Sequence, residues 1–227
     1  MNRFESLMNR KIGLNESFTF QCLQCGHCCR GREDILLSPI DLYRMANAMH
    51  MTPNQILDQY CESYNGPSSH LPLVRLKAKG EDRACPLLHS NRCAAHKGKP
   101  LVCALYPLGR IYNTKTGEVI YALQPVACGG KGQKQTVQEW LKRFNLDGYE
   151  DAHEVWHKLT SSAALFLNRH KASLHPDIIT VTQSLLYMDF YSDYQLDQPL
   201  FVQLKQRADS VQRLLTSIDP DSTQNES

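Results

Sequence analysis

No segment of this 227-residue sequence holds the roughly 18 consecutive apolar residues that a membrane-spanning helix needs. The N-terminal stretch MNRFESLMNRKIGLNESF also lacks the apolar core of about 7–15 residues that marks a secretory signal. A cytoplasmic protein with reduced thiols and no membrane partner is the expectation. Charge of one sign is scarce too: 25 Lys and Arg stand against 23 Asp and Glu, a formal net of +2. The basic residues are scattered, with no long basic run and no aromatic–basic interleaving, which speaks against a nucleic-acid partner. No P-loop and no serine–histidine–carboxylate arrangement stands out. The nearest approach to a glycine-rich nucleotide cradle, CGGKG at 128–132, does not have G-x-G-x-x-G spacing.

What the sequence has in quantity is cysteine, nine in all. In FQCLQCGHCCRG, residues 20–31, four fall within eight positions and two are adjacent. An odd count in a reducing compartment argues for metal ligation rather than a complete set of disulfides.

The expected fold class is α+β: an irregular, cysteine-rich, metal-nucleated domain with short strands and helices, followed by a helical C-terminal region. Residues 18–22 and 34–37 read as short strands. In SPIDLYRMANAMH, Ser38 is placed as an N-cap, Pro39 as the first helical residue and Asp41 in the first turn. Thr52-Pro53-Asn54-Gln55 repeats the start signal, with Gln55 placed for a capping box. Ile56, Leu57, Tyr60, Cys61 and Tyr64 then form one apolar helical stripe. LVRLKAK and residues 117–125 read as strands, and 80–107 as irregular. Residues 135–144, 150–171, 176–194 and 199–218 read as helices, with Pro176 and Pro199 at starts. The domain division follows: 18–134 chelating domain, 135–218 helical region, 219–227 disordered polar tail.

Eight cysteines lie outside helical stripes: Cys22, Cys25, Cys28, Cys29, Cys85, Cys93, Cys103 and Cys128. All eight are candidate metal ligands. Cys61, on an apolar stripe, reads as a small buried hydrophobe. The rhythm Cys22-x2-Cys25-x2-Cys28 is that of an iron–sulfur ligand run closed by a distant cysteine. A Cys-x2-Cys pair equally makes half of a tetrahedral zinc site. Adjacent side chains diverge along most backbones, so Cys28 and Cys29 are expected to serve different centres, giving two sets of four. One centre with spare thiols is the simpler alternative. The triple Cys-x2 rhythm favours iron–sulfur, a 4Fe–4S centre first, over zinc.

CLQCGHCC followed by ACPLLHSNRCAAHKGKPLVCALYP resembles the family of zinc- or iron-chelating proteins named for its CxxCxxCC run, also known as the YkgJ-like cysteine cluster family. The matching positions are the four clustered cysteines, then Asp41, Cys85, Pro86, Cys93, Pro100, Cys103, Tyr106 and Pro107. The chain departs at His96, where a tyrosine is common, and at Lys99 and Ala104, where arginines are common. The resemblance covers roughly residues 20–130 and leaves the helical half unexplained. It implies metal chelation. Through relatives that resemble flagellin lysine N-methylases, it also implies methyl transfer as an alternative function.

His153-Glu154-Val155-Trp156-His157 spells H-E-x-x-H, the pattern of a zinc protease helix. Its context is poor. Lys158 follows directly, no glutamate comes after the motif until Glu226, and Thr160 and Ala163 stand where the extended motif has glycine and histidine. The two histidines are expected at the flank of the helix, toward solvent. His27, His89 and His96 are expected beside the thiols or in solvent, and Arg30, Arg32, Lys97, Lys99 and Arg110 either to offset thiolate charge or to be plain surface charge. The function expected from the sequence is a cysteine-ligated metalloprotein with one or two iron–sulfur centres and a redox or protein-modifying role. The alternatives are a zinc-stabilised binding module without catalysis, its helical half recruiting a partner protein, and a lysine N-methylase-like enzyme.

Overall fold

The computed structural model describes residues 3–113, 116–126 and 128–221. In chain order the elements begin with α1 (Arg3–Met8), β1 (Lys11–Ile12), β2 (Ser17–Gln21) and β3 (Leu36–Leu37). Next come α2 (Pro39–Met49), α3 (Pro53–Tyr60), β4 (Cys61–Asn65), β5 (Pro72–Leu76), β6 (Leu88–His89) and β7 (Arg92–Cys93). Then follow α4 (Leu101–Leu105), β8 (Leu108–Tyr112), β9 (Val119–Leu123), β10 (Gly130–Thr136) and α5 (Val137–Arg143). The chain closes with α6 (Glu150–His170), α7 (Pro176–Tyr191) and α8 (Leu200–Ser217). The strands form small antiparallel sheets in the orders β1-β9-β8, β10-β2, β3-β5-β4 and β6-β7. The fold is α+β, with a cysteine-rich part and a helical C-terminal part. Among the described residues no helix is long and apolar enough to cross a membrane.

The helix starts follow from local chemistry. Ser38 and Asp41 form a reciprocal capping box on α2, as do Thr52 and Gln55 on α3 and Thr136 and Glu139 on α5. Proline at the first turn of α2, α3 and α7 presents no unsatisfied N–H there.

One helix ends earlier than its apolar spacing predicts. The stripe from Ile56 to Tyr64 breaks after Tyr60, and Cys61–Asn65 pairs antiparallel with Pro72–Leu76 as β4. The ladder to β5 outweighs helical periodicity here, and Gly66-Pro67 follow to turn the chain. Cys61 therefore sits at the start of a strand, yet it remains buried at 5% exposure. Strands β8 and β10 were not foreseen. β10, GKGQKQT, carries no apolar alternation; pairing with β2 makes it a strand.

Two main cores result. Sheet β3-β5-β4 packs with α2, α6, α7 and α8 around Leu42, Met45, Leu167, Leu186 and Phe190. Sheets β1-β9-β8 and β10-β2 pack with α5 around Phe18, Phe20, Leu108, Tyr121 and Trp140. Met49 and Met51 pack at the edge of the first core. Asp219–Asp221 make a turn after α8, and the remainder of the tail expected to be disordered lies outside the described residues.

The 3-10 turn His96–Gly98 lies against α2 at a close approach that glycine alone permits. A Cβ at Gly98 would stand 2.1 Å from the Arg44 carbonyl oxygen and 2.7 Å from the Ala48 Cβ. Gly98→Ala is expected to cost about 1–3 kcal/mol through overpacking. Urea denaturation would show it as a lower midpoint with an unchanged slope.

Candidate metal centre

The eight candidate cysteines reach one place from four separate parts of the chain. Cys22 follows β2. Gln24 and Gly26 then take left-handed backbone conformations, at φ 51° and 73°, and turn the chain so that Cys25, Cys28 and Cys29 follow in a tight run ending in the 3-10 turn His27–Cys29. Gly26 also lets this run close on the β6–β7 hairpin, where a Cβ would stand 3.3 Å from the Asn91 backbone. Cys85 precedes the hairpin and Cys93 closes it. The Cys85 amide donates to the Cys29 carbonyl at 2.7 Å, and the Gly31 amide to the Asp82 carbonyl at 3.0 Å. Arg30 adds an ion pair to Asp82 and a 3.2 Å hydrogen bond to Asn91.

Asp41 places the third part. Its buried carboxylate accepts from the Ser38 amide and hydroxyl at the start of α2, both at 2.8 Å. The other oxygen accepts from the Leu101 amide at 2.7 Å, at the start of the helix that carries Cys103. The SP-x-D segment thus ties α2 to α4. Cys128, the fourth part, precedes β10, and its sulfur lies 4.0 Å from the Tyr106 hydroxyl. Tyr106 packs edge-on to Phe20, and Phe20 to Trp140, whose indole N–H donates to the Leu105 carbonyl at 3.0 Å.

All eight cysteines line a single cleft whose empty space, open mouth included, is about 880 Å³. All nine cysteines of the chain are free thiols. The Cys28 and Cys29 sulfurs stand 4.0 Å apart and face the same cleft. The expected divergence of these neighbours is absent, because the 3-10 turn swings both side chains to one side. Among the described residues, no three cysteine sulfurs lie within 4.8 Å of one another. The rest of the lining is mostly apolar, with Phe20, Leu76, Leu87 and Val102, and two cations, Arg32 and Lys99, also reach it. Lys99 is buried, its ammonium 4.4 Å above the centre of the Phe144 ring.

The electrostatics of this cleft disfavour free thiolates. The neighbouring Cys29 sulfur, and then burial, push the Cys28 thiol far up. Burial does the same to Cys103, with Cys85 and Cys93 adding repulsion. Burial likewise raises Cys85, Cys93 and Cys128. Lys99 opposes the shift at Cys28, Cys93 and Cys103, and Arg32 at Cys103. A thiophilic metal ion suits this donor set, because its charge replaces the protons that hold these sulfurs neutral. Iron and zinc both take thiolates of this kind. Cys61 lies outside the cleft, and burial pushes its thiol up to about 12.

The CxxCxxCC family, described as a putative zinc- or iron-chelating domain, matches residues 21–142. The chain belongs to this family. The matched span contains all eight cleft cysteines, both cleft cations and Asp41. No curated protein and no solved structure matches the chain.

The histidines fall into two groups, and only the H-E-x-x-H pair departs from expectation. Of the three near the thiols, His96 lines the cleft, while His27 and His89 are exposed. Among the cations, Arg110 is not at the cleft. It pairs with Glu150 at 2.9 Å and contacts the His157 Nε2 at 2.9 Å. The H-E-x-x-H pair is therefore not a solvent-facing flank. His153 is 3% exposed, and His157 stacks on Tyr112 at 4.3 Å, because β8 covers that side of α6. Sequence periodicity missed this second buried face, since Arg110 and Tyr112 come from a strand it did not foresee.

Burial, then Arg110, His157 and Arg44, depress the His153 pKa to about 3; burial and Arg110 bring His157 to about 4. An unfolded histidine binds a proton near pH 6.5 where these do not, so acid favours the unfolded chain. Between pH 6.5 and about 4, each histidine is expected to remove about 1.4 kcal/mol of stability per pH unit. Replacing His153 with glutamine should flatten the fall in urea midpoint between pH 7 and 5 relative to the unaltered protein. An unchanged slope would contradict a buried, neutral His153.

Proposed function

We propose that the cleft holds an iron–sulfur centre, a 4Fe–4S centre first, and that the protein serves a redox or protein-modifying role. The observation that carries this reading is the set of eight thiols lining one cleft with no trio drawn within 4.8 Å. Tetrahedral zinc with bonds of about 2.3 Å requires its sulfurs about 3.8 Å apart. A polynuclear centre spreads its ligand sulfurs over several metal atoms, which suits a wider ring of donors. Such a group supplies one-electron transfer when bound.

The chain's own residues set the conditions. Arg32 and Lys99 offset anionic charge from two sides of the cleft. Phe20, Leu76 and Leu87 lower the local dielectric, and the open mouth gives a reductant or a protein partner access. Cys22, Cys25 and Cys28 supply the closely spaced donors, and Cys85, Cys93, Cys103 and Cys128 the distant ones. Cys29 has the 4.0 Å spacing to Cys28 that one zinc ion would also accept, and this pair favours the second reading, a zinc-stabilised binding module.

Anaerobic purification with elemental analysis and an absorption spectrum separates the two. The iron–sulfur reading expects brown protein with broad absorption near roughly 400 nm that bleaches with dithionite. Colourless protein holding zinc would sink it in favour of the second reading. Serine at Cys22, Cys25 or Cys103 is expected to lower bound metal and soluble yield, whereas Cys61→Ala should leave the metal content unchanged. Full metal retention in the three serine variants would remove the cleft from the assignment.

A further inference from the structure

A second group of ligand-type side chains lies in the helical region, apart from the thiol cleft. His170 is the last residue of α6, and Asp219 and Asp221 follow the end of α8. One ligand atom from each of these three residues lies within 4.8 Å of the other two. The His170 imidazole is 5% exposed, and its Nε2 faces the Asp219 carboxylate at 3.6 Å, longer than a hydrogen bond.

The surroundings favour positive charge. The helices α6 and α8 both end here, and helix C-termini carry partial negative charge. The nearest lysine in sequence, Lys171, is turned to His70 at 3.2 Å. The backbone holds the carboxylates in place: the Asp221 amide donates to the Asp219 carboxylate at 3.0 Å, and the Asp219 amide reaches the Thr216 carbonyl at 3.4 Å.

We infer that His170, Asp219 and Asp221 form a binding site for a divalent first-row transition ion. One imidazole nitrogen and two carboxylate oxygens are the donors, and water completes the coordination on the exposed side. The donor set contains no sulfur, so this site takes harder ions than the thiol cleft and loads independently of it. The ion would fasten the turn after α8 to the end of α6. Binding would thereby stabilise the helical region by mass action.

The test uses the full chain as purified, with its thiol cleft loaded, and manganese(II) as the probe. Room-temperature electron paramagnetic resonance reads free manganese during a titration. The expected result is one manganese ion withdrawn per chain and a higher melting temperature in its presence. Both effects should vanish in His170→Gln and in Asp221→Asn. Asp221 is exposed, so its asparagine variant keeps the test valid even where the His170 variant misfolds. Manganese that stays free throughout identifies the group as a plain histidine–aspartate pair and overturns the inference. Withdrawal that persists unchanged in Asp221→Asn overturns it equally.

Discussion

Eight sulfurs facing one partly buried space impose the constraint around which the first half of the chain is organised. As thiolates they would repel one another in a low dielectric, and as thiols they hydrogen-bond weakly. Neither state by itself gives the surrounding chain much reason to hold together. The segments that carry them have little regular structure: a 3-10 turn, a two-residue hairpin and a helix of five residues. Their order comes from a few specific ties, among them the Asp41 carboxylate shared between α2 and α4, the Cys29–Cys85 backbone bond and the Gly98 approach to α2. Metal ligation adds to these ties in the same currency as folding, since a donor set assembled by folding gives its binding energy to the folded state.

The cleft's position makes that contribution long-range. Cys85, Cys93 and Cys103 pack against the core built on α2 and the C-terminal helices. Cys22 packs against the other core, built on the β1-β9-β8 and β10-β2 sheets and α5. A centre holding cysteines from both groups joins two hydrophobic units that meet across the cleft. Under the proposed ligation, loss of one cysteine near the junction would weaken the docking of the two cores as well as the local loop. Cys61 offers the contrast: it is buried wholly within the first core and away from the cleft, so its removal changes packing by a few atoms and nothing else.

The start signals of the helices were legible because they are local: Ser38 with Asp41 and Thr52 with Gln55 complete their hydrogen bonds within four residues. The eight cleft cysteines were legible as a set because their spacing is unusual for any packed core. What sequence did not reveal depends on partners far along the chain. β10 exists only because Gly130–Thr136 lies beside β2. The α3 stripe stops at Tyr60 because β5 captures the next five residues. The direction of Cys29 turned on the conformation of a short 3-10 turn, which one-dimensional spacing does not encode. Tyr106 was visible as a motif position, but its approach to Cys128 needed the return of β10.

The H-E-x-x-H segment shows how surroundings decide the chemistry of a correct spacing. His153 and His157 do share a helix face, and Glu150 lies nearby, so three side chains able to ligate zinc are in the neighbourhood. Arg110, however, occupies that neighbourhood with a guanidinium 6% exposed, bonded to Glu150 and against the His157 nitrogen. A divalent ion placed there would meet a fixed positive charge in a low dielectric, at a cost of several kcal/mol by order of magnitude, about 4 kcal/mol for a single unit-charge pair at 4 Å and an effective dielectric of 20. The thiol cleft presents the opposite balance: many latent anions, two cations at its wall and burial that penalises uncompensated charge. The same helix α6 thus carries histidines that a guanidinium closes to metal at one end, and at the other His170, which faces carboxylates.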